Sequence, residues 1–314
     1  MCITLSDQTD GVKQHVEIDV RVDCNDPYDR TFRGLRSLMP FADHDGARLH
    51  WEERGDGSPL LLVMGHSYSS RMWYPVLDSL SQNHRLITFD NRGTGQSSPV
   101  RKITVAQMAQ DAFAVLDAAG VEAAHLYGVS MGGGIVLEMA RQQPERVRSL
   151  LLGCTTAKTP DTPGLPLLLR PLVHLPAPLL YKLLRSLRKA TSYPYGTKAP
   201  ADLVAQDELA IASDSVNVVT SVAQSRAIND YAITEAEVRA LTMPTLVLHG
   251  DEDSLVPYEA GVRLRGLIAG SELVTLTGAG HNYFIAAGEQ ANAAALDFLR
   301  RVDSGVDAGH ATIR

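Results

Sequence analysis

Residues 128–134 read Gly-Val-Ser-Met-Gly-Gly-Gly, and Ser130 is the one side chain there able to attack a substrate. The apolar run His125–Val129 precedes it and a helical pattern, Ile135 to Ala140, follows. That pattern is a strand, a sharp turn and a helix with the serine at the apex. Glycine is required around such a turn because a Cβ would collide with the folded-back chain. A serine hydroxyl becomes a useful nucleophile when a base removes its proton, and the base needs an acid to fix its tautomer. The chemistry in view is therefore attack on a carbonyl carbon. Of the ten histidines, His281 sits between a strand and a helix in Gly278-Ala279-Gly280-His281. For the acid, Asp253 lies in Gly250-Asp251-Glu252-Asp253-Ser254-Leu255-Val256-Pro257, with Asp251 and Glu252 as neighbouring alternatives. The chain order Ser, Asp, His suits a serine carried on this kind of turn.

These residues need elements that bring them to one edge. Pro59–Met64, Arg85–Phe89, His125–Val129, Val147–Cys154 and Thr245–His249 are apolar runs of strand length, and Glu272–Leu276 is another strand. Such runs suit strands of a parallel sheet buried on both faces. Before them, Phe41–Asp43 and Leu49–Glu53 form a hairpin about Asp45-Gly46. Helices are expected from Arg71 to Leu80, from the Thr104 cap to Ala119, after Ser130, and from Glu289 to Arg301. Strands alternating with helices predict an α/β fold with a mainly parallel sheet. Ser130, Asp253 and His281 then all follow carboxyl ends of strands, where crevices form.

The alternation stops between Thr155 and Ala240. Six prolines fall from Pro160 to Pro178, leucines crowd Leu167 to Leu184, and Ala201–Asp230 is helical in composition. This is read as a helical insertion. The expected organisation is an N-terminal extension (1–37), a core (38–154 and 241–302), the insertion (155–240) and a flexible tail (303–314). The extension shows a weak alternation over Val16–Val22.

The chain has 314 residues, 45% hydrophobic and 21% charged, with a net charge of −7. That composition is globular, and the acidic balance disfavours nucleic acid as a partner. Cys2, Cys24 and Cys154 show neither disulfide nor zinc spacing, and Cys154 is read as a core residue. No apolar run reaches membrane-spanning length and no signal peptide is visible, so a cytoplasmic protein is expected. No cofactor or metal is called for.

Several motifs agree in order: Met64-Gly65 after a strand, Asp90-x-Arg92-Gly93-x-Gly95-x-Ser97, Gly128-x-Ser130-x-Gly132-Gly133, Gly250-x-x-Asp253-x-x-Val256-Pro257 and Gly280-His281. Over about residues 40 to 300 the sequence resembles the α/β-hydrolase family, in its serine esterase and lactonase-like branch with a helical cap. The resemblance implies that the insertion is the cap over the site. It implies Ser130 as nucleophile, His281 as base and Asp253, four residues before the proline, as acid. It places the oxyanion-hole donors on the backbone N–H groups of His66 and Met131. Met64 stands where the family often has histidine, and the His66 ring then forms a wall of the site or touches substrate. Asp90 and Arg92 are read as braces of the sheet edge. Tyr181, Tyr193, Tyr195 and the leucines of the insertion suggest an apolar pocket for a small ester-like substrate. The same motifs also occur in carbon–carbon bond hydrolases and cofactor-free haloperoxidases, and a binding protein that has lost catalysis is the alternative of another class. Oligomeric state is not legible.

Overall fold

A computed structural model describes residues 40–157, 194–214 and 217–305, all within one unit, Met39–Arg314. The expected strand at Val16–Val22, the leucine-rich stretch with Tyr181 and Tyr193, and residues 306–314 lie outside the described residues.

The described strands are β1 (Phe41–His44), β2 (Ala47–Arg54), β3 (Ser58–Val63), β4 (His84–Phe89), β5 (Ala124–Val129), β6 (Val147–Gly153), β7 (Thr245–Gly250) and β8 (Glu272–Leu276). They form one sheet in the order β1-β2-β4-β3-β5-β6-β7-β8. β1 and β2 pair antiparallel across the expected Asp-Gly turn, where Asp45 and Gly46 both have positive φ. β2 is antiparallel to β4, and every pair from β4 to β8 is parallel. All six residues of β5 and of β7 are buried, as continuous apolar runs require of strands covered on both faces.

Around this sheet lie α1 (Tyr74–Leu80), α2 (Val105–Ala118), α3 (Met131–Gln142), α4 (Ala201–Ser213), α5 (Val218–Asp230), α6 (Glu235–Arg239), α7 (Tyr258–Leu267) and α8 (Tyr283–Asp303). Thr104 and Gln107 form a reciprocal capping box that starts α2 where the sequence places it. The stretch Ala201–Asp230, helical in composition, holds two helices. Asn217 accepts from the Thr220 N–H and begins α5 afresh, a local bond that competes with helix continuation. α1 is preceded by a 3-10 turn at Ser70–Trp73. α8 begins earlier than its Glu289 expectation, at Tyr283, and is interrupted at Ala287 (φ −140°, ψ 31°). At that early turn the buried hydroxyls of Tyr127 and Tyr283 are hydrogen-bonded at 2.7 Å.

The tail expected to begin at residue 303 is corrected at its first residue. Asp303 ends α8 and accepts from Ser58 Oγ at 2.8 Å, with His125 Nε2 at 3.0 Å. Asp90 and Arg92 brace the sheet edge as expected. Arg92 donates twice to Asp111, at 2.9 and 2.5 Å, and also to the carbonyls of His44 and Asp45. Asp90 accepts from the Ser70 and Gln96 N–H groups. Among the described residues no helix is long and apolar enough to cross a membrane.

The chain leaves β3 for β4 on one side and returns to place β5 on the other. That reversal opens a crevice beyond the carboxyl ends of β3 and β5. The loop after β3 and the turn holding Ser130 both lie there.

Candidate active site

Ser130 joins β5 to α3 with φ 54° and ψ −121°, a backbone conformation that an L-residue adopts only when its surroundings enforce it. The surroundings are the flanking glycines. A Cβ on Gly128 would lie 2.3 Å from Gly132 O, and one on Gly132 would lie 2.0 Å from Val63 O. One on Gly133 would lie 2.4 Å from the Thr155 side chain, whereas Gly134 has no neighbour closer than 3.8 Å. The first three glycines are therefore steric requirements and the fourth is not. The Ser130 N–H donates to Gly153 O at 2.8 Å, and Thr155 Oγ1 donates to Ser130 O at 2.7 Å. The turn is thus tied to β6 on both sides of the nucleophile candidate.

Ser130 Oγ lies 3.0 Å from His281 Nε2, and His281 Nδ1 lies 2.8 Å from Asp253 Oδ2. The three residues come from turns after β5, β7 and β8. Backbone crossings fix the latter two turns together: Glu252 N–H donates to Ala279 O at 3.0 Å, and a Cβ on Gly250 would meet that oxygen at 2.2 Å. Tyr195 O accepts from Gly280 N–H at 3.0 Å, so the segment before α4 also holds the histidine loop. The Tyr195 ring, expected to face a pocket, is buried with its hydroxyl donating to Asp207.

Of the three candidate acids, the fold brings Asp253 to the imidazole. Asp251 Oδ1 instead accepts from Gly278 N–H at 2.6 Å. Glu252 accepts from the Thr197 N–H and hydroxyl, both at 2.6 Å. Asp253 Oδ1 accepts the N–H groups of Leu255 and Val256, each at 2.9 Å, leaving Oδ2 for the imidazole. Burial by itself would raise the Asp253 pKa, but hydrogen bonds from His249 and His281 outweigh it and hold the carboxyl well below the usual range. Ionised Asp253 can only accept, so it directs the His281 proton to Nδ1 and turns the bare Nε2 toward Ser130.

The expected oxyanion donors flank the same serine. α3 starts at Met131, so its N–H belongs to the first turn, where no intrahelical acceptor exists. Gly65 packs against the nucleophile candidate: a Cβ there would lie 3.3 Å from Ser130 Cβ. The loop carrying the His66 N–H is therefore beside the hydroxyl. The His66 ring turns toward α5, where Nε2 donates to Ser221 O at 2.8 Å and lies 2.9 Å from Ser225 Oγ. Burial pushes this imidazole below its ordinary value, against the bond to Ser221.

Some supporting residues have no local sequence signal. His249 lies under the acid, with Nε2 donating to Val256 O at 2.9 Å and 3.5 Å from Asp253 Oδ2. In the sequence it is only the end of a strand. Thr155 and the α5 residues that grip the loop after β3 are equally silent. Cys154, Asp253 and His281 place metal-capable atoms within 4.8 Å of one another. Asp253 and His281 are already bonded to each other, and burial raises the Cys154 thiol well above its ordinary value, which keeps it protonated.

A mainly parallel eight-stranded sheet with a serine on the strand-to-helix turn after β5 defines an α/β-hydrolase fold. The sequence profile of that fold family matches residues 58–287, and the chain belongs to the α/β-hydrolase family. Among its relatives is a RutD protein of Variovorax paradoxus, named for carbamate hydrolysis. It is 32% identical over 267 residues, which cover 82% of this chain and 97% of the relative. A 2-hydroxymuconate semialdehyde hydrolase of Pseudomonas putida is 31% identical over 253 residues, covering 75% of this chain and 85% of the relative. An enol-lactonase structure from Burkholderia xenovorans superposes with a TM-score of 0.70 at 23% identity, covering 83% of this chain and 100% of that one. That likeness is one of fold. The protein is accordingly a hydrolase of the α/β fold acting on a small molecule.

Proposed function

We propose that the protein is a serine hydrolase that cleaves a carboxylic ester or lactone, with an apolar acyl or aromatic part, through an acyl-enzyme. The observation that carries this reading is the line Ser130 Oγ–His281 Nε2–Asp253, with contacts of 3.0 and 2.8 Å. Ser130 Oγ bonds to the carbonyl carbon as its proton passes to His281 Nε2. The carbonyl oxygen becomes an anion held by the His66 and Met131 N–H groups. Collapse of this intermediate breaks the bond to the alkoxy oxygen, which takes the proton from His281. Water then gives a proton to His281 and its oxygen to the acyl carbon. The acid leaves, and Ser130 regains its proton. Asp253 keeps the imidazole in the required tautomer and balances its transient positive charge. Residues 155–240 serve as the cap, and residues 38–154 with 241–302 as the catalytic core.

The same attack would serve a carbamate. It would also serve cleavage of a carbon–carbon bond beside a carbonyl, the alternative that the sequence motifs raise. The ester reading is tested with Ser130→Ala against p-nitrophenyl esters and lactones. Turnover should disappear while the circular dichroism spectrum stays native, and retained turnover would sink the mechanism. A fluorophosphonate should label Ser130, whereas a non-catalytic binding protein would leave it unmodified.

A further inference from the structure

We propose that Gln224 of α5 is a positioning residue for the oxyanion loop, holding the His66 N–H in place beside Ser130. The inference rests on the serine-hydrolase reading above. The loop after β3 lies against the nucleophile, yet its own conformation is unfavourable. Ser67, directly after the expected donor, has φ 69°, in the left-handed region that a serine seldom occupies. Such a residue stays there only when its neighbours over-determine it.

The grip comes from α5. Ser67 N–H donates to Gln224 Oε1 at 2.9 Å, and Ser67 Oγ donates to Ser221 Oγ at 2.7 Å. The His66 ring is held by Ser221 O and lies beside Ser225 Oγ. Residues 221, 224 and 225 are spaced i, i+3 and i+4, so one helix face holds both loop residues.

Gln224 is fully buried, and both ends of its amide are used. Ser67 N–H requires an oxygen, and Arg92 O, 3.3 Å from Nε2, requires a donor. The amide thus ties the loop after β3 to the loop after β4 and can be seated in one orientation. An apolar side chain could fill the same volume without the desolvation cost of a buried amide. What it could not supply is the acceptor that pins Ser67. The hole is therefore complete only while α5 is seated on the loop. Because the donor matters more to the oxyanion than to the neutral carbonyl, its loss should appear in kcat and spare KM.

The test uses the full chain, with active sites counted by fluorophosphonate titration so that unfolded protein does not enter. Gln224→Met should lower kcat by about 10- to 100-fold with little change in KM. Affinity for a boronic acid that forms a tetrahedral adduct with Ser130 should fall in step. Gln224→Glu, which restores an acceptor and, when protonated, a donor, should recover most of both. If the Met variant does not fold, Gln224→Asn, one methylene short of Ser67, must show the same kcat loss. Wild-type kcat and boronate affinity per active site in the Met or Asn variant would overturn the proposal. Ser130→Ala, assayed alongside, separates the two failures. If it stays active, the serine mechanism is wrong; if it is dead and the Gln224 variants are normal, only the grip is wrong.

Discussion

Asp253→Asn exchanges one oxygen for an amide nitrogen in a site where every contact of the carboxylate is directional. The asparagine has two orientations. In one, its oxygen takes the place of Oδ1 and accepts the Leu255 and Val256 N–H groups, as the carboxylate does at 2.9 Å. Its NH2 then faces His281 Nδ1 and forces that nitrogen to accept. The imidazole proton moves to Nε2, 3.0 Å from Ser130 Oγ, where it blocks proton transfer. In the other orientation the oxygen faces His281 and the productive tautomer is kept, but the NH2 confronts two N–H donors. Leaving those donors unpaired costs about 2 kcal/mol each. The productive form therefore lies about 4 kcal/mol above the blocked one, which is about a 10³-fold loss of rate. The assay is kcat and KM for an activated ester, per titratable active site. We expect kcat to fall by about 10³ with KM nearly unchanged, together with loss of the low-field Nδ1 proton resonance. A loss smaller than about tenfold would refute the tautomer argument. Asp251→Asn and Glu252→Gln should retain near-native kcat, since those carboxylates hold Gly278 and Thr197 instead.

The three consecutive glycines that follow Met131 should separate cleanly. Gly132→Ala places a Cβ about 2.0 Å from a backbone oxygen and should abolish activity and lower the melting temperature sharply. Gly134→Ala meets nothing closer than 3.8 Å and should raise stability by about 0.5–1 kcal/mol in urea titration with kcat unchanged. At the amino end of β5, burial holds the His125 pKa below its ordinary value, although its bond to Asp303 works the other way. As pH drops below 6.5 the unfolded chain binds a proton that the native state refuses, so stability is lost toward acid. His125→Gln should flatten the dependence of unfolding free energy on pH between neutrality and mild acid; parallel curves for the two proteins would refute the assignment.

Local patterns carried the features whose causes are local. The Asp45-Gly46 hairpin, the Thr104–Gln107 capping box and the apolar runs of β3 to β7 depend on residues a few positions apart, and each is where its pattern places it. The elbow at Ser130 is legible because its motif is short, although only Gly128 answers to the turn itself; Gly132 and Gly133 are required by Val63 and Thr155, which approach from other segments of the chain. The end of α4, the early start of α8 and the hold of Asp303 on His125 were not legible. The last two involve side chains meeting partners remote in the chain, whereas the start of α5 has a local signal in the Asn217 cap that composition alone did not reveal.

The sequence by itself determined which chemical groups are present, their order, and the strand-to-helix turn that lifts a serine out of the chain. It left three carboxylates within three residues as candidate acids. The family motif alone singled out Asp253; the tertiary structure adds the contact, because β7 and β8 pair in parallel and the crossed turns beyond them bring Asp253 Oδ2 to 2.8 Å from His281. It also brought the His66 ring against α5 and the Ser67 N–H to Gln224, a residue distant in the chain. Distances and orientations of this kind follow from packing between remote segments, which no local pattern encodes.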